Sequence, residues 1–205
     1  QEANADAGTT EVTFSVEGTI DIGSTVAASQ PITITGPGDS SVIIDGADAS
    51  QPLQLNTGSS GSVVQGVYFD ECSECVVGIS DVSNVTVDNM TFDGSVAVRG
   101  DNWEITDNEF VANGNINGDQ PARNLEILNN TFNSTGSHGA IWLTDNENDD
   151  IEVTGNRVTG STADTTFDIT GANILISDNI LTSNGHDGKD SNGISVSYMS
   201  GYLTI

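Results

Sequence analysis

The stretches NWEITDNEFV at residues 102–111 and NLEILNNTFN at residues 124–133 share one ten-residue pattern. Its first five positions are Asn or Asp, an apolar residue, any residue, Val or Ile, and any residue. Position six is a turn-prone residue, position seven is usually Asn, and positions eight to ten are any residue, an apolar residue and any residue. Clear further copies are NVTVDNMTFD from Asn84, DIEVTGNRVT from Asp150 and NILISDNILT from Asn173, and a weaker copy is GSVVQGVYFD from Gly61. The copies start about 22 residues apart on average, which is typical of one coil of a solenoid.

Each copy alternates apolar and polar residues and then turns. Apolar second and fourth positions, such as Leu125 and Ile127, indicate a strand with one buried face. Turn-prone pairs such as Asp107-Asn108 follow, since Asn tolerates the left-handed conformation that sharp corners need. Further strand candidates lie between the copies, including VAVRG from Val96, AIWLTD from Ala140, TFDITG from Thr166 and GISVS from Gly193. The sequence therefore predicts an all-β parallel solenoid of seven to eight coils, with about three strands per coil and almost no helix.

The chain length suits one such rod. We expect residues 1–10 to form a polar arm and residues 11–205 to form a single β-helix domain. No apolar run approaches the roughly 20 residues that span a bilayer, so we expect no membrane insertion.

The units from about Gly61 to Thr182 resemble the right-handed parallel β-helix repeats of the pectate-lyase-like superfamily. Residues 11–60 resemble the opening coils of that fold less specifically. The copy at Asn84 departs from the pattern because Met90 stands where the other copies have Asn. The resemblance implies the handedness of the solenoid and raises the question of activity on acidic polysaccharides.

The sequence lacks the motifs that such activity requires. Polygalacturonase-like relatives carry Gly-His-Gly and Arg-x-Lys segments, whereas the nearest match here is Ser137-His138-Gly139 and no Arg-x-Lys occurs. Lyases of this fold use a basic residue beside the substrate uronate. Arg99 and Arg157 belong to different coils and show no evident partner. The sequence thus favours a protein that is not an enzyme, with a lyase or hydrolase of acidic glycans, or a carbohydrate-binding β-helix, as the alternative.

Charge is the most extreme bulk property. The chain has 30 Asp and Glu against 4 Lys and Arg, a formal charge of −26. This charge repels phosphate backbones, so we expect no nucleic-acid partner. Two explanations stay open, solubility in high salt and binding of calcium.

Two acidic features are candidate calcium ligands. The third motif position holds Glu104, Glu126 and Glu152, which would stack as a row of like charges if the strands align. Asp145, Glu147 and Asp149 set carboxylates at alternating positions of one loop, which suits a hard cation. The alternative for both features is a solvated acidic surface. High salt, or a raised pKa that keeps one of the three glutamates protonated, would also reduce the repulsion within the row.

Cysteines and glycosylation motifs point to export. Cys72 and Cys75 could form half of a zinc site, a redox pair, a local disulfide or a link between subunits, and for an exported protein we favour a disulfide. Asn-x-Ser/Thr motifs, which matter only in a secretory setting, begin at Asn84, Asn89, Asn129 and Asn133. We therefore expect an extracellular or cell-surface protein whose signal peptide has been removed.

Toward the C-terminus the outward positions become apolar. Candidate interface residues are Leu175, Ile180, Tyr198 and Tyr202. We expect these residues to mediate self-association into a filament, sheath or surface layer, with cations bridging the charge. The alternative is that further coils follow and cover them.

Overall fold

The chain winds into a three-sided parallel β-solenoid. The computed structural model describes residues 10–14, 17–47, 49–112, 114–133, 139–163, 165–182, 192–197 and 201–205. Successive strands enter the first, second and third sheet in turn, so each strand pairs in parallel with the strand three places further along the chain.

The first sheet contains β1 (Thr10–Thr13), β4 (Ile32–Thr35), β7 (Val63–Gln65), β10 (Val85–Asp88), β13 (Trp103–Thr106), β16 (Arg123–Leu128), β19 (Asp149–Thr154), β22 (Ala172–Ser177) and β25 (Leu203–Thr204). The second sheet contains β2 (Gly18–Asp21), β5 (Val42–Asp45), β8 (Tyr68–Asp70), β11 (Thr91–Asp93), β14 (Glu109–Val111), β17 (Thr131–Asn133), β20 (Arg157–Thr159) and β23 (Ile180–Thr182). The third sheet contains β3 (Val26–Ala28), β6 (Leu53–Leu55), β9 (Glu74–Gly78), β12 (Ser95–Ala97), β15 (Ile116–Gly118), β18 (Ile141–Leu143), β21 (Thr165–Thr170) and β24 (Asn192–Ser197).

This architecture confirms the predicted fold class. Sheets of nine, eight and eight strands agree with the predicted seven to eight coils, and the described residues contain no helix. The apolar alternation has the expected effect, since Val85 and Val87 of β10 are fully buried while Thr86 between them is half-exposed. Side chains of all three sheets that point inward fill one continuous core.

The apolar residue that follows each corner forms a stack along the core. Phe69, Phe92, Phe110 and Phe132 occupy matching positions of β8, β11, β14 and β17. Their ring centroids lie 6.0, 5.1 and 4.6 Å apart in sequence order, in offset stacks that add to the free energy of burial. The stack therefore fixes the register of one coil on the next.

The corners hold a second inward row, made of amides. Asn108, Asn130, Asn156 and Asn179 follow the first-sheet strands in four successive coils. The side-chain oxygen of Asn130 accepts hydrogen bonds from the backbone N–H (3.0 Å) and the side-chain amide (2.9 Å) of Asn108. Asn130 in turn donates to the carbonyl of Ile105 (2.8 Å) and to the side chain of Asn156. We call this row the asparagine ladder.

The ladder refines the prediction for the corner pairs. The left-handed conformation belongs only to the first member, with φ of 54° at Asp107 and 56° at Asn129. The second member, Asn108 or Asn130, turns inward and is buried. Because a buried amide needs partners for both its N–H groups and its oxygen, stacked coils supply them from their neighbours.

Met90 marks the start of the ladder. Its backbone N–H donates to the side-chain oxygen of Asn108 (3.0 Å), as the later asparagines do. Its sulfur sits 3.4 Å from the backbone nitrogen of Val67, a weak acceptor where an amide oxygen would otherwise stand. The departure from the motif thus leaves the corner geometry in place and weakens one hydrogen bond.

A disulfide joins Cys72, in the turn after β8, to Cys75 in β9. Their Cα atoms lie 5.3 Å apart and both residues are buried. The backbone N–H of Cys72 donates to the carbonyl of Asp93 in the next coil (3.1 Å). Gly94 follows at φ 144°, and a side chain there would overlap the Cys72 carbonyl oxygen. The disulfide therefore packs directly against the following coil.

The second sheet carries an outward row of aspartates. Asp21 pairs with Asp45, and Asp45 pairs with Asp70. Asp93 continues this row, where burial first and then the charge of Asp70 raise the pKa of its carboxyl. Burial and a hydrogen bond to Asp70 likewise raise the pKa of Tyr68 well above its usual range. Like charges at strand spacing therefore cost stability at neutral pH.

We expect Asn130→Ala to lower the free energy of unfolding by about 2–4 kcal/mol, because it leaves buried groups of Asn108 and Ile105 without partners. Asn133→Ala, which removes an exposed asparagine of the same coil, should change it by less than about 0.5 kcal/mol. Urea unfolding followed by circular dichroism measures both. Equal effects of the two substitutions would show that the ladder contributes nothing specific.

We expect Asp93→Asn to stabilise the protein at neutral pH. A carboxyl whose pKa is raised in the folded state binds its proton more tightly there, so its contribution to stability is lost as the pH rises through that pKa. The gain should reach about 1 kcal/mol at most, shrink in high salt, and vanish below the unfolded pKa near 3.8. Thermal unfolding between pH 3 and 8 provides the measurement, with the exposed Glu17→Gln outside the row as control. A gain that is independent of pH would contradict the prediction.

Candidate functional site

The third sheet carries a polar groove on its outer face. The groove has a volume of about 250 Å³, and its walls include Glu74, Arg99, Asn115, Asn117, Asp119 and Trp142. We call it the third-sheet groove. These residues come from β9, β15 and β18 and from the segments that flank β12 and β15, so the groove crosses four successive coils.

Trp142 supplies the aromatic surface of this groove. It lies in β18 between Ile141 and Leu143, whose side chains are fully buried in the core, so strand alternation turns the indole outward. The strand register places it between Asn117 of the preceding coil and Asp168 of the following coil. A half-buried indole is thus flanked on both sides by hydrogen-bonding side chains.

Arg99 is held by carboxylates of the neighbouring coils. Its Nε donates to Oδ1 of Asp119 at 2.9 Å, and a guanidinium nitrogen lies 3.9 Å from Oε1 of Glu74. The other oxygen of Glu74 accepts a hydrogen bond of 2.6 Å from Gln51. Only 17% of the Arg99 side chain is exposed. The guanidinium is therefore fixed in one orientation at the edge of the groove.

Sequence reasoning missed this site. The sequence shows no evident partner for Arg99, whereas in the structure Asp119 in the next coil pairs with it. The signal was present in the spacing, since 20 residues separate Arg99 from Asp119, close to the length of one coil. The strand candidate around Trp142 was recognised, but its outward tryptophan was not related to Arg99.

The predicted glutamate row and part of the predicted interface lie together on the first sheet. Glu104 pairs with Glu126, and Glu126 pairs with Glu152, so the three stack in successive coils. The next position in the row is Leu175. A shallow groove of about 210 Å³ at the last coils is lined by residues that include Glu126, Glu152, Leu175 and Tyr202. We call it the last-coil groove.

The acidic loop does not converge on one point. Oδ1 of Asp145 accepts the backbone N–H of Glu147 (2.8 Å), whereas Glu147 lies 3.7 Å from the guanidinium of Arg123. Oδ1 of Asp149 accepts a hydrogen bond from Asn173 (2.8 Å). Within the ranges that the structure describes, no three His, Cys, Asp or Glu side chains are grouped so that they could hold a metal ion.

The other candidate residues lie on the surface. Asn84, Asn89, Asn129 and Asn133 are all exposed. The side-chain oxygen of Asn84 accepts a hydrogen bond from Asn102, and the amide of Asn133 donates to Glu109. Ile180 and Tyr202 are 50% and 57% exposed, and Leu175 is half-buried. Tyr198 and His138 lie outside the described residues, as does the arm predicted for residues 1–10 except Thr10, the first residue of β1.

The described part of the chain includes no helix with the length and apolar character needed to cross a membrane.

Comparison with solved structures finds the catalytic domain of a GH87 α-1,3-glucanase, a D1069A variant in complex with tetrasaccharides. The two chains are 14% identical, and their superposition has a TM-score of 0.47. The match covers 95% of this chain and 41% of the glucanase chain. No curated protein sequence matches this chain.

A comparison with family models gives the assignment. The model described as periplasmic copper-binding protein (NosD) matches residues 12–202, which include every strand of the solenoid from β2 to β24. The chain belongs to the NosD family of parallel β-helix proteins.

Proposed function

We propose that this protein is an exported, non-catalytic β-helix that binds a glycan in the third-sheet groove. The observation that supports this is the position of Trp142, a half-buried outward indole flanked by Asn117 and Asp168. Binding sites combine apolar and aromatic surface with a few well-placed polar groups. A sugar ring has an apolar face that stacks on an aromatic ring and hydroxyls that hydrogen-bond to amides and carboxylates.

The surroundings of Arg99 favour binding over catalysis. A lyase needs a basic group that is free to take a proton next to the substrate carboxylate. Arg99 is instead engaged by Asp119 and lies close to Glu74, and its side chain is mostly buried. We therefore expect the groove to hold a sugar chain without cleaving it.

Two features support export. The family description places its members in the periplasm. The Cys72–Cys75 disulfide is a bond that persists in oxidising compartments outside the cytoplasm. Together they support a location outside the cytoplasmic membrane.

Copper, which the family description names, does not fit the described residues. Copper sites use thiolate, thioether or imidazole ligands. The two cysteines are joined in a disulfide, and the thioether of Met90 is buried at the start of the asparagine ladder. His138, His186 and Met199 lie outside the described residues. We derive no role for copper in the groove.

We expect Trp142→Ala to weaken glycan binding at least tenfold, because it removes the stacking surface. Isothermal titration calorimetry with a panel of neutral and acidic oligosaccharides measures the affinity. In the wild type, tryptophan fluorescence gives a second readout, since the other tryptophan, Trp103, is 1% exposed and donates its indole N–H to Val82. Fluorescence changes on titration therefore report on Trp142.

Tyr202→Ala is the matched control, because it removes an exposed aromatic ring from the last-coil groove and should leave binding unchanged. Incubation of the ligands with the wild type, followed by chromatography, tests for cleavage. Failure of every oligosaccharide to bind, or equal binding by Trp142→Ala, would refute the proposed function. Release of shorter products would refute the non-catalytic part of it.

A second candidate function is self-association through the last coils into a filament, sheath or surface layer. It is favoured by a change from charged to apolar side chains along two outward rows. Leu175 follows Glu152 in the first sheet, and Ile180 follows Arg157 in the second. Large apolar side chains at outward positions are typical of a partner surface. Calcium would bridge the negative charge of neighbouring molecules.

We expect the wild type to sediment faster as its concentration rises, and more so with calcium, whereas Leu175→Thr/Ile180→Thr should sediment as a monomer. Sedimentation velocity over a concentration series provides the measurement. Val111→Thr, at a half-buried outward position of the same sheet as Ile180, is the control and should behave as the wild type. A wild type that stays monomeric at every concentration, with and without calcium, rules this function out.

A further inference from the structure

The charge of the third-sheet groove discriminates between classes of glycan. Arg99 is its one cationic side chain among the described lining residues, and two carboxylates, Glu74 and Asp119, lie against it. Asp168 adds a further carboxylate next to Trp142. The groove thus has a net negative charge, within a chain whose formal charge is −26.

We infer, on the basis of the proposed function, that the groove selects uncharged glycans and excludes uronates. A uronate carboxylate entering the groove would need a cation, and Arg99 already pairs with Asp119 at 2.9 Å. To use Arg99, the ligand would have to displace that carboxylate and leave Asp119 without its partner. Hydroxyl groups carry no such cost, because they donate to carboxylates and accept from amides.

The carboxylates around Arg99 offer a direct test. Glu74→Gln/Asp119→Asn keeps the shape of the groove and releases the guanidinium, so it should bind uronate oligosaccharides at least tenfold more tightly than the wild type does. This gain should shrink as salt is added. The readout is the ratio of uronate affinity to neutral-glycan affinity, which we expect to rise at least tenfold in the variant.

The chain supplies a matched control at a second arginine. Arg123 lies 4.0 Å from Asp101 and 3.7 Å from Glu147, outside the third-sheet groove. Asp101→Asn/Glu147→Gln changes the net charge by the same amount and should gain no uronate binding. Circular dichroism and thermal unfolding verify that each variant is folded.

Calorimetric titrations use cellohexaose, laminarihexaose, maltohexaose and mannohexaose as neutral probes, and hexagalacturonate and hexamannuronate as acidic probes, with EDTA or with calcium. We expect the wild type to bind at least one neutral probe and neither uronate. Uronate binding by the wild type in either buffer would overturn the selectivity while leaving glycan binding intact. Neutral binding without any gain in the Glu74→Gln/Asp119→Asn variant would also overturn it, because charge would then not be the cause. Failure of all six probes would overturn the proposed function itself.

Discussion

The asparagine ladder is the interaction on which the rest of the structure depends. A parallel solenoid is stable only if each coil keeps its register on the previous one, since a slip of one residue would turn the apolar face outward. Asn108, Asn130 and Asn156 satisfy buried backbone groups of the adjacent coils at 2.8–3.0 Å, which only the correct register permits. The phenylalanine stack next to the ladder adds burial at the same positions. Specific hydrogen bonds and non-specific burial therefore select the same alignment.

Fixed register has a consequence for the surface. Equivalent positions of successive coils fall above one another. A residue type that recurs at one outward position therefore forms a row on the surface. The glutamates at 104, 126 and 152 and the aspartates at 21, 45 and 70 are rows of this kind. The third-sheet groove arises differently, because Trp142 and Arg99 lie outside the ten-residue motif. The scaffold is repetitive, and the candidate site is made of the residues that break the repetition.

This distinction explains how much the sequence could predict. Periodicity identified the strand and the corner of each motif copy and the apolar position after the corner, because those positions recur from copy to copy. It did not predict that Asn130 points inward while Asn129 adopts the left-handed conformation, since both are equally suited to a turn. Nor did it predict the pairing of Arg99 with Asp119. The number of residues between motif copies varies from coil to coil. Two residues outside the motif therefore cannot be aligned without knowing where each coil carries its extra residues.

The late start of the ladder at Met90 also makes the rod mechanically uneven. A pull along the axis puts the hydrogen bonds between coils under tension. The asparagine ladder begins only at Met90, so the described coils of β1 to β6 resist without it. The coils of β10 to β23 resist with the amide row as well. Under load we expect the rod to part first among its early coils. Most of the third-sheet groove lies in the reinforced portion, so it would keep its shape while a tethered ligand is being pulled.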